Sequence, residues 1–205
     1  MRCWPLGLTC AIGRRSSTLA APKTRTLLLV WHSRTGLASQ MANELERGAL
    51  DAAALMDAHP NDFTVLRRRA SAATVTDLLD SDGYIFCAPE NLASVTGEML
   101  EFFQRSYYHA FATIHGRDET VETSMLAGRP FAVAVAAGSD GTNAARQMQR
   151  ICTGWRLRPV TANALIVVNG LPQTAEVITQ PKELPLTAGE QCRELGGLVA
   201  ATMLL

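Results

Sequence analysis

Residues 26–39 read TLLLVWHSRTGLAS. The first six form an unbroken apolar run, as expected of a central parallel strand covered on both faces. After the turn, Ala38, Met41, Ala42, Leu45, Ala49 and Ala52 step by three and four, so they line one side of a helix. A turn of Ser, Arg, Thr and Gly at a helix N-terminus offers free backbone N–H groups, the hydroxyls of Ser33 and Thr35, and the positive end of the helix dipole. Such a turn suits an anion, and a phosphate fits it, with Gly36 allowing close backbone approach. The alternative is that Ser33 or Thr35 merely caps the helix.

Outward from this unit the chain alternates. FTVLRR (63–68) reads as a strand, VTDLLDS (75–81) as a short helix and GYIFCA (83–88) as a second buried strand. Residues 97–108 are helical, with Met99, Phe102, Phe103 and Ser106 on one side. The stretch 109–128 breaks the rhythm and reads as a polar insertion or linker. PFAVAVAAG (130–138) restores the strand pattern, and Ala144, Met148, Ile151, Cys152 and Trp155 mark the next helix. ALIVVNG (164–170) is the last strand, residues 171–187 with Pro172, Pro181 and Pro185 form a loop, and Cys192, Leu195, Gly196, Val199 and Met203 stripe the closing helix. Five strands alternating with helices specify an α/β fold, a doubly wound parallel sheet.

Composition narrows the class. The 205 residues suit one α/β domain, and 47% hydrophobic content is ordinary for a globular protein. Nineteen basic residues balance nineteen acidic ones, which argues against a general nucleic-acid binder. Cys3, Cys10, Cys87, Cys152 and Cys192 show no CxxC and no histidine at ligand spacing, so they read as buried or idle thiols in a reducing compartment. Residues 1–23 carry Arg2, Arg14, Arg15 and Lys23 and no acid. They read as an extension outside the fold, expected to be disordered and dispensable, with the domain spanning 24–205. An organelle-targeting segment is the alternative. No apolar run is long enough for a membrane span, and a cytoplasmic location is expected.

In doubly wound sheets, ligands bind at the carboxyl ends of the strands. That directs attention to Ser33–Ser39, to Pro89–Thr96 and to Gly138–Asn143. A dinucleotide site would need GxGxxG after the first strand, and a Walker loop would need GKS or GKT; neither is present. A phospho-accepting receiver domain needs acids where this chain has Trp31, His32 and Ser33.

HSRTGLASQMANEL is similar to the phosphate loop of flavodoxin-like proteins, SDGYIFCAPENLASVTGEMLEFFQRSYY resembles their second ligand loop, and GRPFAVAVAAGSDGTNAARQMQRI their third. The middle segment resembles NAD(P)H-dependent oxidoreductases of the family more than acidic electron-carrier flavodoxins. The resemblance implies a flavodoxin-like sandwich with strand order 2-1-3-4-5 and flavin mononucleotide (FMN) as cofactor. It places Ser33, Arg34, Thr35, Gly36, Ala38 and Ser39 around the flavin phosphate. Pro89, Glu90, Asn91, Leu92 and Ala93 would border the ring and ribityl chain, and Gly138, Ser139, Asp140 and Gly141 would close the other side. Two residues depart from the family pattern: Ala38 replaces the motif's last threonine, and Leu92 replaces the usual aromatic. The segment 89–96 also lacks glycine, so a peptide flip to positive φ should be costly there, favouring two-electron transfer.

The implied activity is hydride transfer from NADH or NADPH through FMN to a quinone, flavin or similar small-molecule acceptor, and a homo-oligomer is compatible with it. The rival is an electron carrier or partner-binding module with weak or no flavin affinity. Arg67, Arg68 and Arg69 read as a solvated charge run, His109 and His115 as surface residues, and Tyr107 and Tyr108 as packing against the sheet. No catalytic side chain is assigned, because a flavin carries its own redox chemistry.

Overall fold

A computed structural model describes residues 24–58, 62–115 and 120–205. Residues 1–23, with Cys3, Cys10 and the expected extension, lie outside them, as does the side chain of His115. In chain order the first elements are β1 (Arg25–Trp31), α1 (Leu37–Leu55), β2 (Phe63–Arg69), α2 (Val75–Asp80), β3 (Gly83–Asn91), β4 (Ser94–Val95) and α3 (Gly97–Tyr107). Then come β5 (Phe111–His115), β6 (Thr120–Ser124), β7 (Pro130–Ala137), α4 (Thr142–Gly154), β8 (Arg158–Pro159), β9 (Leu165–Val168), α5 (Ala175–Ile178) and α6 (Leu186–Leu204).

The apolar run of β1 sits where its composition demands, in the middle of the sheet. Leu27, Leu28, Leu29 and Val30 are fully buried. β2 and β3 flank β1 in parallel, β7 pairs in parallel with β3, and the far edge of β7 is shared by β8 and β9. Five strand positions therefore follow the order 2-1-3-4-5, the fifth divided between β8 at Pro130–Phe131 and β9 at Ala134–Ala137. Alternate β1 side chains enter two cores. Leu28 and Val30 meet α2, α3 and α4 through Leu78, Phe102, Phe103 and Met148. Leu27 and Leu29 meet α1 and α6 through Met41, Leu45, Cys192 and Val199.

The helical stripes match their spacing. Met99, Phe102, Phe103 and Ser106 are the buried residues of α3, and all five stripe residues expected in the closing helix are buried in α6. The two helices on one face nearly touch backbones: a Cβ on Gly48 would lie 2.0 Å from Arg193 O, and one on Gly196 would lie 2.0 Å from Leu45 O.

Four expectations need correction. The stretch 109–128 is no linker but carries an antiparallel hairpin, β5 with β6. Its β-branched residues suit strands, and its polarity reflects a ribbon standing off the main sheet. The hairpin base is held by Met125 N–H to Ala110 O (2.8 Å) and Ser124 Oγ to Trp155 O (2.5 Å). Tyr107 and Tyr108 do not pack on the main sheet; they are exposed and meet edge to face at the end of α3. Arg67 is not a solvated charge but reaches under α1, bonding Asn43 Oδ1 (2.5 Å) and Glu46 Oε2 (3.2 Å) beside the Trp31 ring. Residues 171–187 are not all loop, since they hold α5 and the first two residues of α6. His109 is exposed, as expected. No helix of the described residues is long and apolar enough to cross a membrane.

Candidate functional site

The carboxyl ends of β1, β3 and β7 open into one cleft of about 910 Å³. Of the expected site residues, Ser33, Arg34, Thr35, Ala38, Pro89, Glu90, Asn91, Leu92, Ala93, Gly138 and Ser139 line it. Gly36, Ser39, Asp140 and Gly141 do not line it themselves but are chain neighbours of residues that do or of the turns that carry them.

The turn after β1 ends at Gly36, the N-cap of α1, with φ of 95°. A left-handed backbone favours glycine because it has no Cβ to crowd the carbonyl. Ser33 Oγ accepts the Gly36 N–H at 3.1 Å, closing the turn. No side chain caps α1 and no acid lies in its first turn, so the capping alternative is not realised. The helix N-terminus faces the cleft with its orphan N–H groups and positive dipole end available.

After β3 the chain folds back as a tight hairpin in which Glu90 pairs with Val95 and Asn91 with Ser94. The two turn residues, Leu92 and Ala93, have φ of 52° and 53°. The expectation that a glycine-free segment would resist positive φ is overturned. A two-residue hairpin loop of this hand requires left-handed backbone at both positions, and antiparallel pairing on either side imposes it. Leu92 is fully exposed on the cleft rim.

Glu90 lines the cleft and also holds the start of α4. Its carboxylate accepts from Gly141 N–H (2.8 Å) and Ala144 N–H (3.3 Å), so it caps α4 from another loop. Asp140 is bonded to the Thr142 hydroxyl at 2.5 Å in the same turn, and Gly141, with φ of 84°, sits where a Cβ would lie 2.6 Å from Ile166. These two build the start of α4. Gly138 leaves room for Gln173, whose Oε1 would be 2.6 Å from an added Cβ.

Sequence reasoning missed the fourth wall. Asn169, Gln173, Ile178, Thr179 and Lys182, from the segment after β9, line the cleft beside Thr96 and Gly97. That segment is clipped to the first turn: Lys182 N–H donates to Thr35 O (2.7 Å), Gln40 Nε2 donates to Lys182 O (2.7 Å) and Gly36 O (3.3 Å), and Leu184 N–H donates to Gln40 Oε1 (3.0 Å). A glutamine four residues past the N-cap was the available signal, visible only with its distant partner. Beneath the cleft His32 is buried, its Nδ1 2.9 Å from Glu98 Oε2.

The cleft therefore joins an open helix N-terminus, two hydroxyls and a cation at one end to a hairpin rim at the other. The model of the NADPH-dependent FMN reductase family matches residues 37–171, about two thirds of the chain. The chain belongs to this family. Solved structures agree on the fold. The flavodoxin, WrbA-like protein from Agrobacterium tumefaciens superposes with a TM-score of 0.61 at 14% identity, over 88% of this chain and 98% of that one. An oxidoreductase from Corynebacterium diphtheriae gives 0.59 at 16%, over 89% and 98%. A flavodoxin from the domain Archaea gives 0.61 at 11%, over 88% and 99%. No match is found among curated proteins. The family and the flavodoxin-like fold support a flavin-binding oxidoreductase, and FMN is the flavin that the family's description names.

The residues present fit that group. A phosphate monoester needs convergent donors and positive potential, and the uncapped α1 N-terminus supplies both. The cleft is large enough for the rest of the molecule.

Proposed function

We propose that this member of the FMN reductase family takes hydride from NADH or NADPH and passes the electrons, by way of FMN, to a quinone, a free flavin or a similar small-molecule acceptor. The observation that carries this reading is the open N-terminus of α1, flanked by Ser33, Arg34 and Thr35 at one end of the cleft. In this reading the turn 33–36 and the first residues of α1 hold the phosphate. The hairpin 89–95 borders the ring and ribityl chain on one side, and Gly138 and Ser139 on the other. Bound there, FMN supplies the redox chemistry. The chain's own residues bind, orient and partly exclude water. Leu92, standing clear of the cleft on its rim, leaves a ring face open for a nicotinamide to stack.

The test is a titration of the purified protein with FMN, followed by absorbance, then anaerobic addition of NADH or NADPH and a quinone. Saturable binding at micromolar FMN, bleaching by one nicotinamide, and quinone-dependent reoxidation are expected. Absence of binding at millimolar FMN would overturn the reading. Binding without bleaching by either nicotinamide would favour the electron carrier.

A further inference from the structure

The domain uses arginine at every cationic position but one. The chain contains seventeen arginines and two lysines, and Lys182 is the lone lysine within residues 24–205. It is also among the few charged residues to be buried, at 6% exposure, in a class of side chain that is almost never fully buried unless paired. Its Nζ donates to Val177 O (2.5 Å) and Gln180 O (2.8 Å), the carbonyls that end and follow α5. Among the described residues no carboxylate stands at ion-pair distance from it, although ion pairs engage Arg67, Arg105 and Arg193. Carbonyl dipoles satisfy two of its three N–H donors but leave its charge uncompensated. A cation withdrawn from water in this way calls for an anion.

Its place on the fold says which anion. Lys182 is fixed at both backbone groups to the turn that begins α1, through Thr35 O and the Gln40 side chain. It lines the same cleft as Ser33, Arg34 and Thr35. The one carboxylate lining that cleft, Glu90, is committed to the N–H groups of α4. The phosphate end is thus left with two cations, exposed Arg34 and buried Lys182. A lysine ammonium acts on a phosphate as a compact point charge, without the planar fork of a guanidinium.

We propose that Lys182 is the counter-charge that selects the phosphorylated flavin, FMN over riboflavin, by placing a buried positive charge beside the phosphate turn. The segment 171–185 is then the carrier of that charge, docked by Gln40. This rests on the flavin-binding reading above and adds to it a determinant outside the three strand-end loops.

The experiment compares FMN with riboflavin, which differs only in lacking the phosphate, by fluorescence titration of wild type, Lys182→Gln and Lys182→Arg. Lys182→Gln should lose about tenfold or more in FMN affinity, the consequence of one partly buried charge. Its riboflavin affinity should stay within about twofold. Lys182→Arg should recover most of the loss. Equal losses for both ligands would make Lys182 a mere prop for its segment and overturn the proposal while the flavin reading stands; so would an unchanged FMN affinity. Wild type binding neither ligand would sink both. Should Lys182→Gln fail to fold, wild-type protein labelled with 15Nζ-lysine carries only two side-chain signals. The Lys182 signal must shift with FMN and stay with riboflavin, and any other pattern overturns the proposal.

Discussion

Two turns of the cleft place residues in left-handed backbone, and they differ in which residue bears it. At Gly36, φ is 95° and an added Cβ would have ordinary contacts, the nearest being Lys182 O at 3.6 Å. Strain, not space, is what excludes a side chain. Gly36→Ala should cost about 1–2 kcal/mol in urea unfolding and weaken FMN binding, because a relaxed turn re-aims the N–H groups. Unchanged stability would mean that the turn tolerates a side chain. At Leu92 and Ala93 the chain already carries the strain that glycine would remove. Ala93→Gly should therefore stabilise the protein by about 0.5–1 kcal/mol net, left-handed relief exceeding the entropy lost by glycine. A lower midpoint would show that the hairpin is not held in this form. Strained backbone of this kind gathers at functional sites, and here it sets the rim of the cleft.

The elements are held to one another by features of unequal legibility. α1 and α6 approach until Gly48 and Gly196 meet the opposing backbone. Gly196→Ala should cost about 3 kcal/mol or more, since Leu45 O cannot move as a side-chain tip would, with thermal unfolding as the measure. Glu90→Gln should lower stability by about 1 kcal/mol through the lost charge at the α4 N-terminus, and a neutral result would reassign that carboxylate to a ligand. Most of these elements could be read directly. The run Leu27–Val30 could only be a buried central strand, and Met99, Phe102, Phe103 and Ser106 announced their helix face, because burial follows period. The turn 33–36 was readable for the same local reason. What could not be read depended on distant partners. Glu90 gave no sign of capping α4, Lys182 none of facing Thr35, and Leu92 none of its φ, which follows from the pairing of Asn91 with Ser94. The hairpin 111–124 was hidden because β5 and β6 form a sheet of their own, apart from the main one, and their sequence carries no continuous apolar run.

For the molecule as a whole, burial sets the response to alkali. Burial raises the Tyr84 phenol from 10.0 to about 12 against the opposing pull of Arg129, and raises the Cys192 thiol from 9.0 to about 12 with help from Glu44. Burial likewise pushes up the Cys87 and Cys152 thiols. The unfolded chain releases these protons first, so their contribution is intact below about pH 9 and is lost as the pH rises toward about 12. Tyr84 alone accounts for up to about 3 kcal/mol of that decline. Urea midpoints measured from pH 8 to 11 should fall, and Tyr84→Phe should flatten the part above pH 10; a level profile would contradict the burial of these groups. The contact between α1 and α6 has a last consequence, in the order of synthesis. Of the described elements, α1 is among the first to leave the ribosome and α6 comes after all the others, yet each covers the other and the same side of β1. A growing chain therefore holds Leu27, Leu29, Met41 and Leu45 without their final cover until the closing helix emerges. A nascent chain stalled at residue 185 should bind chaperones and fall to protease, and release of the remaining residues should end both at once.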